Sequence, residues 1–204
     1  NTLDYMQSLV DGGTDVIELG VPFSDPMADG PTIQRASERS LAAGTDLSSI
    51  FMLVRAFRER NASTPVILMG YMNPFKRLGF ERFAKEARAS GVDGVLVVDL
   101  PPEESVPQNK ILTLNGIRQI FLIAPNSSED RIKKVGELAA GFIYYVSVKG
   151  VTGDKSISTS NIRNSLELVR NGTRLPIGLG FGIKTPESAR EAAKLSDAVV
   201  VGSA

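Results

Sequence analysis

Residues 17–34 read IELGVPFSDPMADGPTIQ, and the order of residue types in this stretch sets the terms for the rest of the chain. An apolar run at 16–19, broken only by Glu18, opens at Gly20 into a polar loop stiffened by Pro22 and Pro26, and from Pro31 the spacing turns helical. A strand running through such a loop into a helix is the unit whose strand ends carry the chemistry of α/β enzymes. Two carboxylates, Glu18 and Asp29, bracket the loop.

Outward from this unit the same alternation recurs. Upstream, Leu3, Met6, Leu9 and Val10 share one face at helical spacing, and Gly12 and Gly13 are placed to end that helix. Downstream, apolar runs at 65–69, 95–98, 120–123, 142–146, 176–179 and 198–201 read as buried strands. Between them lie amphipathic helical patterns, one capped by Thr45 or Asp46, another by Thr185 with Pro186 as first helical residue. GYMNPF at 70–75 reads as a strand-to-helix loop, and Pro101 and Pro102 as the opening of a capped helix running towards Asn115.

Strands alternating with helices argue for a parallel α/β architecture, which an open doubly wound sheet and a closed barrel satisfy equally. No G-x-G-x-x-G follows the first strand, which argues against a dinucleotide fold. The chain begins in a helix without a preceding strand and ends on a strand without a following helix, and restoring both gives eight units. The expected fold is therefore a (β/α)8 TIM barrel, one domain over residues 1–204, lacking its first strand and last helix.

Composition narrows the chemistry. The 204 residues contain neither histidine nor cysteine, so a His-based triad, a thiolate nucleophile, a zinc-thiolate site and a disulfide are all excluded. Acid and base work falls to Asp, Glu, Lys or Tyr, and no metal ligand set is expected. Lys plus Arg (23) balances Asp plus Glu (23), which gives no reason to expect nucleic acid or an anionic membrane as partner. No run is long enough to span a bilayer, and the lack of cysteine fits a cytoplasmic protein.

Glu18, flanked by buried neighbours, is expected to have its pKa raised by desolvation, which suits a general acid; an ion-paired or solvated rim carboxylate is the alternative. Asp29 reads equally as a loop acceptor, a cap ahead of Pro31 or a site residue. GVTG (150–153), GFG (180–182) and GSA (202–204) follow three successive strands, where barrels bind phosphate through backbone N–H groups that glycine leaves accessible. Tyr71 and Tyr144 sit at or near strand ends, either packing in the barrel or pointing into its mouth. Asp99 ends its strand as a loop organiser or a ligand contact.

Seven segments carry a resemblance over essentially the whole chain: IELGVPFSDPMADGPTIQ, LMGYMNPF, GVDGVLVVDLPPEES, IFLIAPNS, GVTG, GFGI and VGSA. In this order they resemble the tryptophan synthase α-subunit family. The resemblance implies an eightfold α/β barrel that cleaves indole-3-glycerol phosphate to indole and glyceraldehyde 3-phosphate, with no cofactor in this subunit. It implies Glu18 and Asp29 as catalytic acid and aspartate. Tyr71, Tyr144, Thr152, Gly153, Phe181, Gly182, Gly202, Ser203 and Ile33 match substrate-binding positions. Pro22 and Asp25 match the contact with the β subunit, a pyridoxal-phosphate enzyme that completes an α2β2 assembly. A sugar-phosphate isomerase on a similar barrel and a catalytically idle regulatory subunit are the competing readings.

Overall fold

The computed structural model describes residues 1–146, 159–180 and 182–202. These residues form two compact units, 1–119 and 120–204, each built from parallel strands and the helices that connect them.

In the first unit, α1 (Thr2–Asp11) leads into β1 (Ile17–Gly20), α2 (Pro31–Ala42) and α3 (Leu47–Arg60). β2 (Val66–Gly70), α4 (Met72–Leu78), α5 (Phe80–Ser90), β3 (Gly94–Val97) and α6 (Val106–Leu114) follow. β1 pairs in parallel with β2 and β2 with β3, Glu18 standing in register with Ile67 and Ile67 with Gly94. The two-residue period of a strand gives each strand two faces, both buried in β3 and largely in β2, whereas β1 fully buries only Ile17. Ile17, Val66, Leu68, Val95 and Val97 pack on helices through Phe51, Val54, Phe57, Phe75, Phe83 and Leu112. Glu18, Ile67, Met69 and Leu96 occupy the alternate positions and so face the other way.

The second unit contains β4 (Arg118–Ile123), whose first two residues belong to the first unit, then α7 (Glu129–Leu138), β5 (Ile143–Val146) and α8 (Thr159–Gly172). β6 (Ile177–Gly180), α9 (Pro186–Ala193) and β7 (Ala198–Val200) complete it. β4 to β7 pair in parallel, each with the next in sequence. Phe121, Ile123, Ile143, Tyr145, Ile177 and Leu179 pack against Ile132, Val135, Leu166 and Val169 of the helices. Leu122, Tyr144, Gly178 and Gly180 take the opposite face.

One device recurs in both units where strands begin. Asp93, just before β3, accepts the Val66 N–H at 2.8 Å and pairs with Arg58 of α3 at 2.6 Å. Asp197, just before β7, accepts the Ile177 N–H at 2.9 Å and pairs with Arg170 of α8 at 3.1 Å. An aspartate thus satisfies the first N–H of the neighbouring strand while an arginine from the preceding helix neutralises it.

Two expectations need correction. GYMNPF contains the first turn of the short helix α4 rather than a loop alone, its sole buried side chain being Phe75. The residues from Pro101 to Glu104 form turns, and α6 begins only at Val106, with a proline in its first turn. Proline disfavours helical geometry in the residue before it, so Leu100 and Pro101 stay extended or turn-like ahead of the helix.

Candidate active site

The site-bearing segment of the first unit is the loop 21–30, tied at one end to β2 and at the other to Tyr71, the residue after it. Val21 N–H donates to the Met69 carbonyl at 2.8 Å, continuing the ladder one step past β1. A turn closes where Asp29 N–H reaches the Pro26 carbonyl at 3.0 Å, and Gln34 Nε2 donates to the Asp29 carbonyl at 2.8 Å. Gly30, not Asp29, is the N-cap of α2, and Pro31 fills the first turn. Released from capping, the Asp29 side chain turns to Tyr71.

Tyr71 follows β2 directly and is 3% exposed. Its hydroxyl donates to Asp29 Oδ2 at 3.1 Å and accepts the Ala28 N–H at 3.0 Å. Its ring lies against Phe23, centroids 5.4 Å apart and planes tilted by 33°. The next residue, Met72, donates its N–H to Asp99 Oδ1 at 2.7 Å, so Asp99 organises the start of α4. Burial first, then the charges of Asp29 and Asp99 among the other contacts, pushes the Tyr71 phenol up to about 12, and it stays a proton donor at physiological pH.

Glu18 is the electrostatic centre of the unit. Burial, with the Asp29 charge adding to it, pushes its carboxyl up to about 7. The physical source is its place on β1: its register partner is Ile67, and the same face carries Met69 and Leu96, leaving apolar surface where water would solvate a charge. Asp29 is also raised by burial, while the Tyr71 hydrogen bond works against that shift. Glu18 therefore holds a proton near neutrality beside an aspartate that burial raises and the Tyr71 hydrogen bond partly restores. Ile33, half-buried, stands in the first turn of α2; Pro22 is half-buried and Asp25 exposed, its carboxylate taking the Ser24 hydroxyl at 2.5 Å.

In the second unit, Tyr144 lies within β5 in register with Gly178. A Cβ on Gly180 would come within 2.6 Å of the Tyr144 hydroxyl and 2.7 Å of its ring, so glycine is what lets the tyrosine lie flat over β6. Gly182, after β6, has φ +76, and Gly202, after β7, is exposed. Thr152, Gly153, Phe181 and Ser203 lie outside the described residues. Among the described residues no group of three or more Asp or Glu is placed to hold a metal ion, and no helix is long and apolar enough to cross a membrane.

The family model for the tryptophan synthase alpha chain matches residues 1–204. The chain belongs to this family. It is 55% identical to the tryptophan synthase alpha chain of Cupriavidus pinatubonensis over 202 residues, 99% of this chain and 76% of that one. Against the Burkholderia ambifaria alpha chain the identity is 53%, over 99% of this chain and 74% of the other. Among solved family structures, the α subunit of Legionella pneumophila str. Paris has 41% identity and a TM-score of 0.92, covering 99% of this chain and 74% of that one. The α2β2 complex from Pyrococcus furiosus gives 41% identity and a TM-score of 0.90, over 99% and 81%. With these family structures as neighbours, the fold class is the α/β barrel expected from the sequence.

The Tyr71 to Asp29 bond and the Phe23 contact were not legible as such in the sequence. The sole signal was a tyrosine immediately after a buried strand.

Proposed function

We propose that Glu18 and Asp29 are the acid and the anion of an indole-3-glycerol-phosphate lyase, the α half-reaction of tryptophan synthase. The reaction yields indole and glyceraldehyde 3-phosphate. Protonated Glu18 delivers its proton to C3 of the indole ring, giving an indolenine cation; Asp29 accepts a hydrogen bond from the ring N–H and offsets that charge. The bond between ring C3 and the glycerol C3′ then breaks, its electron pair restoring the neutral aromatic ring. The C3′ hydroxyl loses its proton to the Glu18 carboxylate as the aldehyde forms, which returns Glu18 to its starting state.

The observation that carries the reading is the raised pKa of Glu18, to about 7, beside Asp29. An acid of ordinary pKa is almost wholly ionised at neutral pH and has no proton to give. Tyr71 and Tyr144 are assigned to positions near the substrate, Phe181 and Ile33 to apolar positions beside the phosphate and indole, with Thr152 as the loop contact to Asp29. Gly153, Gly182, Gly202 and Ser203 are assigned to the phosphate, supported by the open backbone at Gly182 and Gly202. The chemistry requires no cofactor in this subunit; pyridoxal phosphate belongs to the β partner. That partner is the tryptophan synthase β subunit in an α2β2 assembly, with Pro22 and Asp25 assigned to the contact. A single barrel domain over 1–204 and a cytoplasmic setting belong to the same proposal, supported by a family match that runs unbroken through both units.

Indole release from indole-3-glycerol phosphate, with β subunit present, tests the roles. Glu18→Gln and Asp29→Asn are each expected to lose activity by roughly 100-fold or more. Wild-type rates in both variants would overturn the assignment.

A further inference from the structure

We propose that Tyr71 is a positioning residue for Asp29, fixing the carboxylate and the loop that carries it through one hydroxyl. The inference rests on the reading of Asp29 given above and adds to it a residue that acts through Asp29 rather than on the substrate alone.

Two bonds of one oxygen carry it. The Tyr71 hydroxyl gives its proton to Asp29 Oδ2 and takes the Ala28 N–H, so it binds consecutive residues of the loop 21–30 in a single arrangement. Phe23 from the same loop covers the ring, which is almost wholly buried. The tyrosine is anchored in turn: it is the N-cap residue of α4, and the N–H of Met72 beside it is bonded to Asp99. Rigid loop anchors of this kind hold catalytic groups within the narrow tolerance that reaction geometry demands. With Oδ2 taken by Tyr71, the proposal leaves Oδ1 for an incoming N–H.

Electrostatics adds a consequence that packing alone does not. The charges that act on this hydroxyl are those of Asp29 and of Asp99 after β3, and Asp29 in turn acts on Glu18 of β1; all three are acidic. In such company the Tyr71 hydrogen bond lowers the Asp29 pKa against the rise that burial imposes. Remove the donor and Asp29 holds a proton to higher pH.

The test is Tyr71→Phe in the full chain with its β partner, which keeps the ring against Phe23 and removes only the hydroxyl. The pH profile of kcat for indole-3-glycerol phosphate cleavage is compared with wild type. Expected is a fall in kcat of roughly 10-fold to 100-fold, the loss of one hydrogen bond to a charged group, with KM little changed. The acid limb of the profile moves to higher pH and the alkaline limb, set by Glu18, stays. In Asp29→Asn, adding Tyr71→Phe costs the residual rate little further, because both changes act through one carboxylate. A wild-type kcat and acid limb in Tyr71→Phe overturns the inference, as does a rise in KM alone or full additivity with Asp29→Asn. If Asp29→Asn itself cleaves at the wild-type rate, it is the reading of Asp29 that has failed. If Asp29→Asn is inactive while Tyr71→Phe behaves as wild type, the inference alone has failed.

Discussion

Asp29 adds its negative charge to the burial of Glu18, and together they push the Glu18 carboxyl from 4.5 to about 7. The direction has two consequences. With Glu18 as the proposed acid, cleavage needs the protonated form, so kcat is expected to fall as pH rises through the folded value, with an alkaline limb near 7. Folding is penalised by the same shift: below about 4.5 the group is protonated folded and unfolded and costs nothing, and the penalty grows as pH rises to about 7. Glu18→Gln is therefore expected to be inactive yet more stable at pH 8, by roughly 1–3 kcal/mol, and indistinguishable in stability at pH 4. Urea titrations of both proteins at the two pH values check this.

Arg58 serves four carbonyl and carboxylate groups with one guanidinium: Gly91 O at 2.8 Å, Thr64 O at 2.7 Å, Asn61 O at 3.3 Å and Asp93 Oδ2 at 2.6 Å. A lysine ammonium keeps the charge but not the planar fork. Arg58→Lys is expected to lose about 2–3 kcal/mol of stability while leaving kcat near wild type, because the clamp lies before the strands and the site loop after them. Denaturant midpoints and steady-state rates on the same preparation decide it.

Asp197 carries the matching clamp in the second unit, but more exposed. Its pKa is lowered from 3.8, first by the Ile177 N–H and then, past an opposing burial effect, by Arg170. Its stabilisation is present above 3.8 and lost as pH falls through the lower folded value. With the side chain 42% exposed, solvent screening limits Asp197→Asn to roughly 0.5–1 kcal/mol at pH 7, vanishing in strong acid. Thermal melts across that range test the sign.

α7 and α8 meet at glycines: a Cβ on Gly136 would run into the carbonyl of Gly172. Backbone cannot yield as a flexible side chain does. Gly136→Ala is expected to destabilise by about 1–3 kcal/mol despite the better helix propensity of alanine. An unchanged or raised melting temperature would show that the helices separate at no cost.

Gln119 of β4 is 2% exposed, and among the described residues its Oε1 finds no hydrogen-bond partner. Burying an unpaired acceptor is costly, so Gln119→Met is expected to raise stability by roughly 1 kcal/mol. The variant's chemical denaturation curve is the measurement.

The strands were legible because each is a short apolar run, but their ends were not. Gly20, Gly70 and Gly180 carry no apolar signal, yet pair in the ladder, so three strands extend one residue beyond the apolar pattern. The helix α4 was hidden because seven residues that include Pro74 and bury only Phe75 leave no periodicity to read. Glu18 announced itself, since a carboxylate inside an apolar strand has few ways to stay charged. The partner of Asp29 did not: Tyr71 lies 42 residues away, and no local pattern encodes a bond over that separation.

The repeated Asp and Arg clamps bear on how the chain folds. Arg58 and Asp93 are 35 residues apart and Arg170 and Asp197 27, separations over which loop closure costs modest entropy. Each clamp ties an aspartate before one strand to the first amide of its neighbour, so each unit sets strand register from its own sequence. Folding is then expected to start from two low-contact-order nuclei rather than one, with the amide protons of Val66 and Ile177 among the first to resist exchange.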